Sequence, residues 1–78
     1  MSVDETAEEQ RDRTSADFEA AGLSLEALWM HYFSIGGDAG ELEIDAYLNG
    51  SYMLRGVQRD LLDHAIHELD GNGSQADR

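Results

Sequence analysis

Residues 23–48 read LSLEALWMHYFSIGGDAGELEIDAYL, and this stretch decides the fold. Apolar side chains recur at helical spacing on both sides of the Gly36–Gly37 pair, and strand-like alternation is absent. Ser24 is a good N-cap, and a glycine pair can end a helix because glycine tolerates the left-handed conformation found there. The sequence therefore predicts a first helix over residues 25–35.

Two further helices are predicted after the glycine pair. Asp38, followed three residues later by Glu41, fits a capping box, so we expect a second helix from Asp38 to Asn49–Gly50. This helix is apolar around most of its circumference and needs burial on two sides. The third is predicted over residues 53–69, with one broad apolar face. Its opposite side carries Asp60, Asp63, His64 and His67.

The two ends of the chain differ from this central part. Residues 1–21 carry seven acids, two arginines and one large aromatic residue, which predicts a flexible acidic arm with a helical stretch near residues 15–21. Residues 70–78 are small and polar and predict a disordered tail. The predicted domain is thus residues 22–69, an all-α three-helix bundle that dimerisation could complete.

The charge balance restricts the classes of partner. Seventeen acids against five arginines give a net charge of −12, which repels nucleic acids and anionic membranes and attracts basic proteins. The helix–glycine–helix arrangement is similar to a helix-turn-helix, but its second helix would present Glu41, Glu43 and Asp45 to phosphates. With no long apolar run or signal-like start, we expect a cytoplasmic protein with a basic protein partner, no nucleic acid and no membrane.

No motif indicates catalysis or a cofactor. There is no cysteine, and His31 has no serine or cysteine partner, so we predict no enzyme. His64 and His67, with Asp60, could offer two imidazoles and a carboxylate to a metal ion from one helix face. A solvated helix surface explains the same residues, and metal binding stays an alternative hypothesis.

The aromatic residues of the predicted domain are expected to form most of the hydrophobic core, but five are many for so small a bundle, and tryptophan and tyrosine often anchor protein interfaces, so the same cluster is the candidate interaction surface. We predict a non-enzymatic acidic module, a small regulator that docks on a basic transcription or signalling protein or forms a homodimer. The alternative is a nucleic-acid mimic whose acids, including Asp60 and Asp63, imitate phosphates. The predicted interaction residues are Trp29, Tyr32, Phe33, Tyr47, Tyr52, Glu41 and Asp45.

Residues 23–50 also resemble a set of short uncharacterised actinobacterial proteins that share an LSLEELW, YF, GG, ELEAYLHG core. The similarity extends over roughly residues 23–69. It implies a bacterial cytoplasmic setting and a regulatory role, and it transfers no catalytic residues. The positions that carry it are Leu25, Leu28, Trp29, Tyr32, Phe33, Gly36, Gly37, Tyr47, Leu48 and Gly50.

Overall fold

The computed structural model describes residues 5–75, with side chains as far as residue 71, and all regular structure in that range is helical. The all-α prediction is therefore confirmed, but the bundle has four helices where three were predicted. They are α1 (Ala7–Ala21), α2 (Leu25–Ser34), α3 (Glu41–Asn49) and α4 (Gly56–Gln75).

Helix α1 occupies most of the segment for which the sequence predicted a flexible arm, so that prediction is wrong for residues 7–14, whereas the helical stretch predicted near residues 15–21 is the second half of α1. A capping box begins the helix: the Thr6 hydroxyl accepts from the Glu9 N–H, and the Glu9 carboxylate accepts from the Thr6 N–H, both at 3.0 Å. Gly22 ends it in the left-handed conformation at φ 69°. Residues 1–4 lie outside the described part of the chain.

The other helix ends match the prediction in part. Ser24 caps α2, as predicted, and Gly50 ends α3 at φ 88°. Helix α3 begins after Gly40, whose N–H donates to the Glu43 carboxylate at 2.9 Å, so the predicted cap at Asp38 is wrong.

Helix α4 is shifted relative to the predicted third helix. It begins at Gly56 and continues to Gln75 through part of the predicted disordered tail, whose residues 76–78 lie outside the described range.

The helices form a four-cornered bundle in which α1 and α2 each pack against both α3 and α4. The core lies between them and is made of aliphatic side chains and two tyrosines. Its fully buried members include Leu28, Tyr32, Ile44, Tyr47 and Leu62. This arrangement places the loop between α2 and α3 beside the segment that leads into α4.

None of the helices described between residues 5 and 75 is long and apolar enough to cross a membrane.

Candidate functional site

Tyr32 joins α2, the following loop and α4. The side chain is fully buried, and its hydroxyl donates to Gln58 Oε1 on α4 while it accepts the Ala39 N–H at 3.0 Å. The Asp38 N–H also donates to Gln58 Oε1, at 3.1 Å. Burial raises the pKa of the Tyr32 hydroxyl, which therefore stays a neutral donor. These bonds fix the loop that borders the candidate surface.

The glycine pair serves this loop in two ways that the sequence did not separate. Gly36 has φ 112°, a conformation that favours glycine. Gly37 is buried against the Tyr32 ring, and a Cβ atom there would overlap the ring carbons. Gly37 is therefore needed for packing, whereas Gly36 is needed for the turn.

Three neighbouring side chains of α2 form an exposed apolar surface, which we call the aromatic patch: Trp29, Met30 and Phe33. The Trp29 and Phe33 rings stack with centroids 5.4 Å apart. Phe33 and Met30 are 58% and 56% exposed. The Trp29 indole N–H donates to the Ala39 carbonyl at 3.0 Å, which ties the patch to the same loop that Tyr32 holds.

The predicted aromatic cluster is divided between the core and the surface. Tyr32 and Tyr47 are fully buried, so the prediction that they face a partner is wrong. Their rings fill the space between the helices and leave no surface for contact. Trp29 is half-buried, and Phe33 and Tyr52 are exposed.

The acidic interaction residues lie on α3. Asp45 is exposed and Glu41 is half-buried, and neither makes an ion pair within residues 5–71. The arginines in that range, in contrast, already bind protein groups. Arg11, Arg13 and Arg55 pair with carboxylates, and Arg59 donates to Gln10 and to the Leu54 carbonyl. The surface offered to a partner is therefore predominantly negative.

Helix α1 is held on α4 by polar contacts that sequence reasoning missed. Arg13 binds both carboxylate oxygens of Asp63, at 3.2 and 2.9 Å, and the Thr14 hydroxyl donates to the same carboxylate at 3.2 Å. Thr14 is fully buried. Glu5 and Asp63 raise the pKa of Arg13 by hydrogen bonding to its guanidinium. The cap residues Thr6 and Glu9 were the available sequence signal for this helix.

The Tyr47 hydroxyl differs from that of Tyr32. It is buried and makes no hydrogen bond within the described side chains. Burial raises its pKa, and the nearby Arg59 opposes that rise. A buried hydroxyl without a partner costs stability, so the Tyr47 hydroxyl lowers the stability of the part of the core that α1 covers.

The histidines do not group as the metal hypothesis required. His64 Nε2 lies 2.9 Å from one oxygen of Glu68, and His31 Nε2 from α2 lies 2.7 Å from the other, whereas His67, exposed like His64, makes no ion pair within residues 5–71. The His31 hydrogen bond, with His64 nearby, lowers the pKa of Glu68. Within the described residues no group of three or more metal-ligating side chains has the arrangement needed for a metal ion.

No protein-family model matches this chain, and no curated protein or solved structure matches it. The resemblance to the actinobacterial proteins therefore stays a prediction, and the geometry of the molecule carries the functional argument.

Proposed function

We propose that this protein is a non-enzymatic interaction module whose aromatic patch docks on a basic protein in the cytoplasm, as a small regulator would. The observation that carries the proposal is the half-buried Trp29 stacked on Phe33, with Phe33 and Met30 left exposed although three other helices pack in the bundle. Contiguous exposed apolar side chains on a soluble protein commonly mark interaction sites.

Charge selects the class of partner. Each copy of the chain carries −12, so two copies repel one another as they approach, whereas a basic protein is attracted. Glu26 lies one helical turn from Met30 and is exposed without an ion pair within residues 5–71. A basic partner therefore suits the patch better than a homodimer does. Electrostatic steering would make the association fast and sensitive to salt.

The nucleic-acid mimic has less support. Mimicry needs its acids displayed together on one outer face, and Asp63 is one of the acids it would use. The Asp63 side chain is only 15% exposed and is paired with Arg13. Asp60 accepts a hydrogen bond from Gln10 at 3.0 Å. Both acids hold α1 in place, and the Asp63 charge is compensated by Arg13, whereas Asp60 accepts only from a neutral amide and keeps its charge.

Site-specific photo-crosslinking in the native host tests the proposal. A photoreactive amino acid at Met30 should capture a basic protein, and the same group at Val57, which is 69% exposed on α4, should not. The captured protein is then purified and its dissociation constant measured at low and high salt. Capture from both positions alike, or binding unaffected by salt, would contradict the proposal.

The matched variants are Phe33→Asp and Val57→Asp. We expect Phe33→Asp to weaken binding by at least about tenfold, because interface aromatic residues often contribute more than 1 kcal/mol, and Val57→Asp to leave it unchanged. Phe33 is chosen because the Trp29 indole also supports the Ala39 loop. Equal binding by the two variants would exclude the aromatic patch as the docking site.

A further inference from the structure

A second surface lies on the other side of the loop that Trp29 supports. It is a cleft of about 390 Å³ between this loop, the first turn of α3 and the segment before α4. It contains none of the three aromatic-patch residues. Its lining includes Asp38, Glu43, Tyr52, Met53, Arg55 and Gln58.

Gln58 gives this cleft a hydrogen-bond donor. The residue is only 6% exposed, and Oε1 is engaged by the Tyr32 hydroxyl and the Asp38 N–H. Because the Asp38 N–H can only donate, the amide oxygen must face it, and this fixes the orientation of the carboxamide. Gln58 Nε2 donates to no group within residues 5–71. Among the described side chains only the Tyr47 hydroxyl is buried without a partner, so Gln58 Nε2 reaches solvent, and a carbonyl oxygen entering the cleft would replace water as its acceptor.

The charges around Gln58 favour a cation. Asp38 and Glu43 contribute two carboxylates, against one guanidinium from Arg55. Arg55 donates to Asp38 at 3.1 Å, but their side chains are 76% and 64% exposed. Exposed pairs of this kind contribute little free energy, so an incoming guanidinium can replace Arg55 at the Asp38 carboxylate.

The cleft also has a surface for an aliphatic or planar side chain. Tyr52 and Met53 are 46% and 39% exposed. An arginine can stack on a tyrosine ring, and methionine adapts its shape to different contacts. The cleft thus combines a donor for a main-chain carbonyl, a carboxylate for a cation and an apolar side.

We propose that the Gln58 cleft binds an extended, arginine-containing segment of the basic partner, an inference that rests on the proposed function. Gln58 Nε2 donates to a main-chain carbonyl of the segment. Its arginine pairs with Asp38 and lies on Tyr52. The Ala39 loop connects the two surfaces, since Ala39 accepts from Trp29 through its carbonyl and donates to Tyr32 through its N–H. One partner can therefore occupy the aromatic patch and the cleft together.

The test is an NMR titration of the ¹⁵N-labelled full chain with the capped peptide acetyl-Gly-Arg-Leu-Gly-amide. The side-chain NH₂ signals of Gln58 and the backbone signals of Tyr52 and Met53 should shift. The matched peptide with neutral citrulline in place of arginine should bind about threefold to fivefold more weakly, a difference of about 0.6 to 1 kcal/mol, as expected for a solvent-exposed ion pair. Equal binding of the two peptides would overturn the proposal.

Two variants separate the contacts. Asp38→Asn removes the charge and should weaken the arginine peptide about threefold to fivefold, while leaving the citrulline peptide unchanged. Gln58→Glu keeps oxygen acceptors for Tyr32 and the Asp38 N–H but removes the donors, and should weaken the citrulline peptide; its added negative charge attracts arginine, so the arginine peptide should be weakened less. Val57→Ala, outside the cleft, is the control and should change neither affinity. If Gln58→Glu fails to fold, Asp38→Asn and the Gln58 signals still decide the question.

The outcomes distinguish this proposal from the proposed function. Shifts confined to Met30 and Phe33 would overturn the cleft and leave the aromatic patch as the docking site. Peptide binding at Gln58 with no basic protein captured at Met30 would support the cleft and overturn the patch. No shift at Gln58 at millimolar peptide would overturn the cleft, whatever the crosslinking shows.

Discussion

Tyr32 and Tyr47 are buried to the same extent, yet their hydroxyl groups are in opposite situations. Tyr32, on the α2 side, donates to Gln58 and accepts from the Ala39 N–H. Tyr47, on the side that α1 covers, has no hydrogen-bond partner within the described side chains. Net stability depends on whether a buried polar group is satisfied, and burial alone does not show this. The α2 side should therefore tolerate change less than the α1 side does.

The two sides also use different contacts with α4. On the α2 side, the buried Tyr32–Gln58 bond joins the helices from inside the core. On the α1 side, the contacts with α4 include the Arg13–Asp63 ion pair, in which the Arg13 side chain is 40% exposed. Buried hydrogen bonds respond weakly to salt, whereas partly exposed ion pairs are screened. The interface around Tyr32 should therefore persist under conditions that loosen α1.

The largest expected effect is that of Gly37→Ala, which tests how rigidly Tyr32 is held. A Cβ atom at this position would overlap the ring, and the ring cannot move without breaking its hydrogen bonds. We expect a loss of about 3 kcal/mol in the free energy of unfolding, measured by urea denaturation. Gly71→Ala, which meets no atom within 4 Å, is the control and should leave stability unchanged or raise it by up to about 1 kcal/mol, because alanine favours the helix. A Gly37→Ala loss below about 1 kcal/mol would show that the Tyr32 ring can shift.

Tyr32→Phe should destabilise the protein by about 2 kcal/mol. It removes a hydroxyl that satisfies the Ala39 N–H and Gln58 Oε1, and it leaves the first of these groups without its partner. Thermal and urea unfolding would measure the loss. A Tyr32→Phe variant as stable as the wild type would show that the Tyr32 hydroxyl contributes no net stability. The contrast drawn between Tyr32 and Tyr47 would then be wrong.

Arg13→Ala should cost about 1 kcal/mol, because the pair with Asp63 is partly exposed and its contribution is reduced by solvent. The loss should shrink at high salt, and hydrogen exchange should rise in α1 while α2 stays protected. Arg11→Ala, which removes a pair with the 73% exposed Asp12, is the control. Equal effects of the two substitutions at low salt would contradict a special role for Arg13.

Acid should weaken the two sides together, through Glu68 on the α2 side and Glu5 on the α1 side. Hydrogen bonds from His31 and from Arg13 hold the pKa of Glu68 and of Glu5, respectively, below the ordinary value of 4.5. Their contribution to stability is therefore complete above pH 4.5 and is lost as the pH falls through the lowered folded-state pKa. Glu68→Gln should make the unfolding free energy less dependent on pH below 4.5. An unchanged slope would contradict the role given to Glu68.

Tyr47→Phe should have the smallest effect, and its sign should be opposite to that of Tyr32→Phe. Removing an unsatisfied hydroxyl should leave stability unchanged or raise it by about 1 kcal/mol. The same unfolding assay measures both variants, so each tyrosine serves as the control for the other. A clear destabilisation by Tyr47→Phe would show that the hydroxyl has a hydrogen-bond partner in solution.

Sequence reasoning succeeded where the signal was local. Ser24 and Gly50 mark helix ends through their own backbone and capping chemistry, and both predictions are confirmed. It found only the part of α1 near residues 15–21 and missed residues 7–14, because that helix has one buried residue, Thr14, and docks through charged and polar groups. A search for apolar periodicity cannot detect such a helix. The Thr6–Glu9 capping box was readable in the sequence and would have indicated where α1 begins.

The sequence by itself determined the all-helical class, the acidic surface and the positions where glycine ends a helix, because these depend on local periodicity, composition and backbone freedom. The tertiary structure alone decided which aromatic rings are core and which are surface. Tyr32 and Phe33 are neighbours in the chain, yet one is fully buried and the other is 58% exposed. The packing of α2 against α3 and α4 sets this difference, and it also leaves Gln58 beneath an open cleft.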